Sequence, residues 1–375
     1  MIQSKILKAF DALIGPVLVR VASLLVPVRR GEKSGINSIL IIRPGGIGDA
    51  VLLLPVIRAL KDKFPCVTID ILAEQRNGAV FFLTSHVRSV FLYNRLMELL
   101  KLLNYSYDVV IDTEQWHLLS SVVARLTRAP VLIGFATNER KKLMTHPVDY
   151  SHDEYEVDGF FHLFKPLQMH KPAEISIPFL EVPDDAARRG GELLGDLNGR
   201  TFIVIFPGAS ISERRWGAEK FREVTERLHT MAVPIVVVGG KEDTADGDKI
   251  IFGLNGLNLA GKTTLAETAA VIEKAAVLVS GDSGILHIGV GLGKPTVSLF
   301  GPGIAKKWAP RGDNHIVINK YMSCSPCTKF GYTPKCPINA KCMSDITVDE
   351  VMQGIEHLMR KNRNKKSQHG LNQDQ

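Results

Sequence analysis

The sequence has no uninterrupted run of about 20 apolar residues, the length that a membrane-spanning helix requires. Its most apolar stretch, residues 1–34, is broken by Asp11, Pro16 and Arg20, and no small-residue cleavage site follows to mark a secretory leader. No repeat is visible at solenoid periods, so a stacked-repeat protein is excluded. There is no helix-turn-helix, no zinc-finger spacing and no interleaving of basic with aromatic residues, so nucleic acid is not an expected partner. Cysteine is scarce: Cys66 stands alone, and the other four of five form Cys324-x2-Cys327-x8-Cys336-x5-Cys342. A CxxC pair with two more cysteines invites zinc or an iron-sulfur group. Against this, the intervening segment is proline-rich and lacks a second CxxC, and a disulfide does not suit a reducing cytoplasm. Free thiols are therefore expected, with no metal and no cofactor.

What the chain does contain is the composition of a globular α/β protein: 375 residues, 45% hydrophobic, 23% charged, with 32 glycines. That length exceeds what one core commonly holds, and two domains are expected. Short apolar runs separated by helix-length segments predict parallel strands at 37–43, 67–72, 89–93, 108–112 and 131–134. A polar stretch over 183–200 reads as a linker. Beyond it the alternation resumes, with strands predicted at 201–206, 234–239, 277–280, 295–300 and 315–318. The expected division is a segment 1–34, a domain 35–182, a linker 183–200, a domain 201–357 and a disordered polar tail 358–375.

The most informative segment is ILIIRPGGIGDAVLLLP, residues 39–55: a strand, glycines, then Asp49 opening an apolar helix. In doubly wound sheets, ligands bind outside the carboxyl ends of strands at such turns. Gly46 and Gly48 would let a substrate approach the backbone closely. A dinucleotide fingerprint fails, because Val51 stands where its third glycine belongs and no acid closes a strand about 20 residues on. No Gly-Lys-Ser/Thr follows this turn, which excludes a P-loop there. A plain strand-to-helix connection with Asp49 as a helix cap is the alternative.

Three further features lie at strand ends of the second unit. Ser210, Arg214 and Arg215 follow FPGA, a setting where guanidinium forks suit diphosphate oxygens, although a solvated basic turn has the same spelling. Glu242, after Gly239 and Gly240, could accept from ribose hydroxyls or a base edge, although an acid after a strand is usually a solvated loop residue. The segment AAVLVSGDSGILHIGVGLGKPTVSLFG, residues 275–301, reads as strand, Gly-Asp-Ser-Gly turn, helix and strand. The amides of Ser283 and Gly284 would face an anion there, with Asp282 and His287 as polar groups that an apolar βαβ unit does not otherwise need. Ile285 occupies the position where a nucleophile elbow needs glycine, so a serine hydrolase is disfavoured.

Taken in order, RPGGIGDAVLLLPVIRALKDKFP, FPGASISERRWGAEKF and SGDSGILHIGVGLGKPTVSLFGP resemble glycosyltransferase family 9, the ADP-heptose:lipopolysaccharide heptosyltransferases, over about residues 37–355. The resemblance implies a GT-B fold, two Rossmann-like doubly wound domains facing a central cleft, with the acceptor on the N-terminal domain and a nucleotide sugar on the C-terminal one. It implies inverting transfer without a known metal requirement, Asp49 as general base, and donor binding by Ser210, Arg214, Asp282, Ser283, Gly284 and His287. Arg214 replaces the lysine of characterised members, keeping charge and gaining bidentate geometry. Ala209 stands where a second hydroxyl often sits, which weakens the assignment of ADP-heptose specifically. Arg43, Asp112 and His117, at or just after strand ends, are acceptor-side candidates, and Trp116 beside them is expected in the core more than stacked on a sugar.

Residues 1–34 carry Ile6, Phe10, Leu13, Ile14, Val17 and Val21 on one helical stripe among basic residues. An interfacial amphipathic helix and a helix packed on the catalytic domains both fit. Net charge is +7 and the sequence pI about 9.1, which suits an anionic membrane surface and a phosphorylated glycolipid acceptor. The expected enzyme works at the cytoplasmic membrane face. A transferase of another sugar or acceptor, a non-catalytic sugar-nucleotide-binding paralogue and a nicotinamide oxidoreductase are the competing readings.

Overall fold

The computed structural model describes residues 2–27, 35–329 and 332–371, with side chains described between 11 and 364. The chain divides into two compact units, one through Ser176 and the other from Ile177. In the first, strands β1 (Ser38–Arg43), β2 (Thr68–Ala73), β3 (Ser89–Leu92), β4 (Val109–Asp112), β5 (Val131–Phe135) and β6 (His146–Val148) pair in the order β3-β2-β1-β4-β5-β6. Helices α1 (Ile2–Leu25), α2 (Ile47–Lys63), α3 (Leu96–Leu103), α4 (Leu119–Leu126) and α5 (Glu156–Leu163) surround them.

The second unit repeats the plan. Strands β7 (Ile203–Phe206), β8 (Ile235–Val237), β9 (Gly256–Asn258), β10 (Val277–Gly281), β11 (Thr296–Phe300) and β12 (His315–Asn319) follow the order β12-β11-β10-β7-β8-β9. Its helices are α6 (Asp184–Leu194), α7 (Ala218–Thr230), α8 (Thr244–Ile251), α9 (Leu265–Lys274), α10 (Gly284–Gly291), α11 (Ala305–Trp308), α12 (Lys341–Ser344) and α13 (Val348–Leu371). The strand pairings of both sheets are parallel. Central strands such as ILII of β1 and VLVSG of β10 are buried throughout, as strands covered by helices on both faces must be. In each unit the order reverses beside the first strand, at β1/β4 and at β7/β10, and this is where a doubly wound sheet binds ligands.

Several expectations are corrected. The edge strands β6 and β9 were absent from the predicted set, because HPV and GLN are three residues long and lack an apolar run. Residues 177–182, expected in the first domain, pack on the second unit: the amides of Phe179 and Leu180 donate to the Gly291 carbonyl at 2.9 and 3.2 Å. The expected linker 183–200 contains α6, which approaches α9 so closely that a Cβ at Gly190 would lie 2.7 Å from the Ala270 Cβ. The expected disordered tail 358–375 is helical through Leu371, with 372–375 outside the described residues. Val351, Met352, Ile355, Leu358 and Met359, at helical spacing, are buried in the second core, and this apolar face outweighs the polar composition of the segment.

Helix α1 packs on the first unit through Gly15, Val19 and Ala22. The buried Asp11 carboxylate accepts from the amides of Leu118 (2.8 Å) and Leu119 (2.7 Å), so it caps α4 from a distant part of the chain. Burial would raise the Asp11 carboxyl, but His117 and these amides hold it below its ordinary 3.8. A depressed carboxylate stabilises the fold above its unfolded pKa and loses that contribution as pH falls through the folded value. Asp11→Ala is expected to cost about 1–2 kcal/mol at neutral pH in urea unfolding. The difference between wild type and variant should persist down to about pH 3.8 and shrink below it.

Candidate active site

In the first unit, β1 delivers Arg43 and β4 delivers Asp112 to the switch point. Gly45 adopts φ +111°, and a Cβ there would stand 2.9 Å from Arg43 Nη2, so this glycine is required by both backbone and space. The neighbouring Gly46 is extended (φ −76°), a conformation open to any residue, and it forms the N-cap of α2. Asp49 lies in the first turn of α2, where the helix dipole favours a carboxylate. Its Oδ2 is 3.5 Å from Arg43 Nη2, and the side chains are 27% and 2% exposed. A half-buried carboxylate thus meets solvent beside a buried cation.

Arg43 is fixed from several sides. Nη1 donates to the Thr113 carbonyl at 3.0 Å, the guanidinium lies over the Phe160 ring at 5.8 Å, and Nε has no hydrogen-bond partner. The buried Glu114 carboxylate accepts from the amides of Gln115 (2.9 Å) and Trp116 (3.0 Å). Burial would raise its pKa, yet Arg43, His117 and Arg140 hold it below the usual carboxylate range. Asp112 is ion-paired with Arg140, both wholly buried. Burial pushes the Asp112 carboxyl up and Arg140 opposes it only in part. Glu114 and Arg140 were absent from the sequence candidates; the signal was the Asp-Thr-Glu run at the end of β4. His117, an acceptor-side candidate, reaches back to Asp11 at 3.3 Å, while Trp116 is 47% exposed at the rim of this loop.

In the second unit, β7 ends at Phe206 and β10 at Gly281. The loop after β7 exposes Ser210 and forms a 3-10 turn over Ser212–Arg214. Arg214 Nη1 pairs with Asp282 Oδ2 at 2.9 Å, and Arg214 Nε, though buried, has no hydrogen-bond partner. Ser283 caps α10: its Oγ accepts from the Leu286 amide at 3.3 Å and contacts Ser280 Oγ at 2.9 Å. Gly284 opens that helix and His287 lies buried in its first turn. Arg214, Asp282, Ser283, Gly284 and His287 therefore gather at the second switch point.

Arg215 behaves differently from its neighbour. Its guanidinium is held by Asp243 (2.9 Å) and Asp246 (3.2 Å), so it ties the loop after β7 to the one after β8. Asp243, buried and pushed up by that burial, also accepts from the Gly240 amide at 3.0 Å. Glu242, the acid singled out from the sequence, is exposed beside it. GLNLAGKT, residues 256–263, spells a P-loop, but Lys262 Nζ donates to the Asn258 carbonyl at 2.9 Å and β9 is an edge strand. That lysine is folded back on its own strand end and does not crown a phosphate cradle.

Comparison with known proteins places these features in context. The sequence profile of glycosyltransferase family 9 (heptosyltransferase) matches residues 96–336. Lipopolysaccharide heptosyltransferase 3 of Escherichia coli is 28% identical over 295 residues, 72% of this chain and 85% of that protein. Lipooligosaccharide heptosyltransferase 2 of Haemophilus ducreyi is 26% identical over 356 residues, 86% and 99% of the two chains. The solved ADP-heptose lps heptosyltransferase II of E. coli superposes with a TM-score of 0.73 at 21% identity, over 87% of this chain and 99% of the other. The GT-B fold is shared.

Breaking the Asp112–Arg140 pair by Arg140→Leu leaves an uncompensated buried carboxylate and is expected to cost about 3–5 kcal/mol in denaturant unfolding. The double variant Asp112→Leu/Arg140→Leu should recover a large part of that loss. A double-variant loss equal to the sum of the Asp112→Leu and Arg140→Leu losses would show that the pair carries no coupling.

Proposed function

The chain belongs to glycosyltransferase family 9 and is a glycosyltransferase, and from that premise we propose that it moves heptose, or a closely related sugar, with inversion from a nucleotide diphosphate donor to a lipopolysaccharide-core acceptor. ADP-heptose is the leading donor. The observation that carries this reading is the pairing of a solvent-reaching acid, Asp49, with a buried cation, Arg43, at the switch point of the first sheet. A binding protein does not need that acid, and an NAD enzyme would need a different turn.

In this scheme the Asp49 carboxylate takes the proton of the acceptor hydroxyl as the oxygen attacks the anomeric carbon. A carboxylate is a weak base toward an alcohol, so its help comes mainly as charge changes in the transition state. Arg43, 3.5 Å away, and the first turn of α2 hold it in place. The bond to the leaving diphosphate breaks on the opposite face of the sugar, which inverts the centre. Arg214 and the amides at the start of α10 stabilise the charge that builds on the diphosphate. Asp282 orients Arg214 through the 2.9 Å contact. Arg215, bound to two carboxylates, contributes by ordering the loop that carries Ser210 and Arg214. Ser210, Glu242 and His287 complete the donor side, with Gly46, Gly48 and His117 on the acceptor side.

The exposed face of α1 supports work at an anionic membrane surface. Leu13, Val17, Val21 and Leu24 are exposed in helical register opposite the packed face. Ile6 and Phe10 of the expected stripe, and Arg29 and Arg30 beyond it, lie outside the side chains described. Among the described residues no helix is long and apolar enough to cross a membrane. Adsorption through one apolar stripe and a positive net charge fits these facts.

Asp49→Asn is expected to lower turnover with ADP-heptose and a core acceptor by about 10²–10⁴, while calorimetric donor affinity stays at the wild-type value. Undiminished turnover would remove Asp49 from the chemistry, and preferential binding of a different nucleotide sugar would replace the donor. Leu13→Glu/Val17→Glu should reduce sedimentation with phosphatidylglycerol-containing vesicles and leave turnover on a detergent-solubilised acceptor unchanged; equal sedimentation would refute the membrane contact.

A further inference from the structure

The transfer chemistry gives no task to the four clustered cysteines. Cys324, Cys327, Cys336 and Cys342 nevertheless line a single recess, together with Glu213 and Pro302. All four are free thiols. Between Tyr321 and Ala340, the described residues form no helix and no strand, only an isolated bridge between Lys329 and Tyr332. Irregular segments longer than about 12–15 residues are uncommon inside a compact domain unless something other than ladder hydrogen bonds orders them.

We propose that these four thiols form a closed tetrathiolate site for one tetrahedral metal ion, zinc or iron. Cys324 and Cys327 supply a CxxC ligand pair from one arm of the loop. Cys336 returns from the other arm, and Cys342 comes from the first turn of α12, which anchors the set to the second core. Thiolates select soft or borderline ions over magnesium and calcium. Four of them leave no open coordination position, which marks a structural site and not a catalytic one. As the side chains stand, no three of them already make a coordination set. Binding therefore turns the thiols inward about χ1, between staggered rotamers, and releases their protons to solvent as the ion is taken up.

The position of the site gives it a consequence for the enzyme. The amides of Cys327 and Thr328 donate to the Pro302 carbonyl at 3.1 and 3.0 Å, and Ser325 Oγ donates to the Gly301 carbonyl. The next residue, Gly303, lies so close to Asp282 that a Cβ there would fall 2.0 Å from Oδ2. On the other side the Cys336 amide reaches the carboxylate of Glu213, which directly precedes Arg214. The cysteine loop thus braces both members of the Arg214–Asp282 pair from outside. A metal that orders this loop positions the pair without touching substrate. The metal site stands independently of the functional reading, whereas its effect on the donor rests on it.

The test uses the full chain purified under reducing conditions from cells supplied with zinc and iron salts. Elemental analysis is expected to find about one ion per chain in the wild type and less than about a tenth in Cys324→Ser/Cys327→Ser. Visible thiolate-to-iron absorption distinguishes iron from zinc. Thiol titration of the folded wild type should find Cys66 reactive and the other four protected until a chelator is added. Wild-type protein that stays metal-free after incubation with Zn²⁺, and whose five thiols all react while circular dichroism shows it folded, overturns the site. In the folded metal-free variant, donor affinity should weaken on the order of tenfold. Unchanged donor affinity there would overturn the positioning role, and because the metal content is read separately, that outcome is distinct from an error in the donor assignment.

Discussion

In a doubly wound sheet, the connection after one central strand leaves on one face and the connection after its neighbour leaves on the other, which opens a gap beyond their carboxyl ends. Both units of this protein are built around that constraint, at β1/β4 and at β7/β10. The gap is a place where backbone amides at helix starts are unpaired and side chains from several loops converge. Asp49, Arg43 and Glu114 gather at one such point, and Arg214, Asp282 and Ser283 at the other. The same parallel architecture brings a carboxylate beside a buried cation in the first unit, and an Arg–Asp pair to a serine-capped helix start in the second.

The first unit bears a considerable burden of buried charge. Arg43, Arg140, Asp112 and Glu114 are all buried, and the guanidinium Nε atoms of both arginines lack hydrogen-bond partners. Apolar residues of similar size would serve a purely structural core as well or better. Charges kept under such conditions maintain a local field, here beside Asp49 at the first switch point. Stability is given up locally for preorganisation, which the continuous apolar strands on either side can sustain.

The central strands were legible because a strand buried on both faces must be written as an unbroken apolar run. The edge strands β6 and β9 were not, since half of an edge strand faces solvent and HPV and GLN carry no such signature. Asp49, Asp282, Ser283 and His287 could be singled out because glycine turns at strand ends mark switch points. Glu114 and Arg140 could not, because a charged residue read in a short window is taken to be solvated, and only the tertiary structure reveals the partner that permits its burial. Arg214 and Arg215 are adjacent and alike in sequence, and what separates them is which carboxylates the fold brings near. The tail was misread for a related reason: its charged residues dominate the composition, while Leu358 and Met359 continue the buried apolar face that Val351, Met352 and Ile355 begin on the same helix.

The first helix is tied to the loop that follows β4. Asp11 caps α4 and contacts His117, and Arg125 Nε donates to the Val26 carbonyl at 2.8 Å just beyond the helix. An apolar, basic amino-terminal stretch is a common first choice for removal when a protein is difficult to concentrate or crystallise. Here such trimming would uncap α4 and deprive His117 of its acid beside the loop that holds Glu114. A shortened protein with improved handling and poor activity would therefore report on a damaged loop after β4, and its weakness would say little about the chemistry of the intact enzyme.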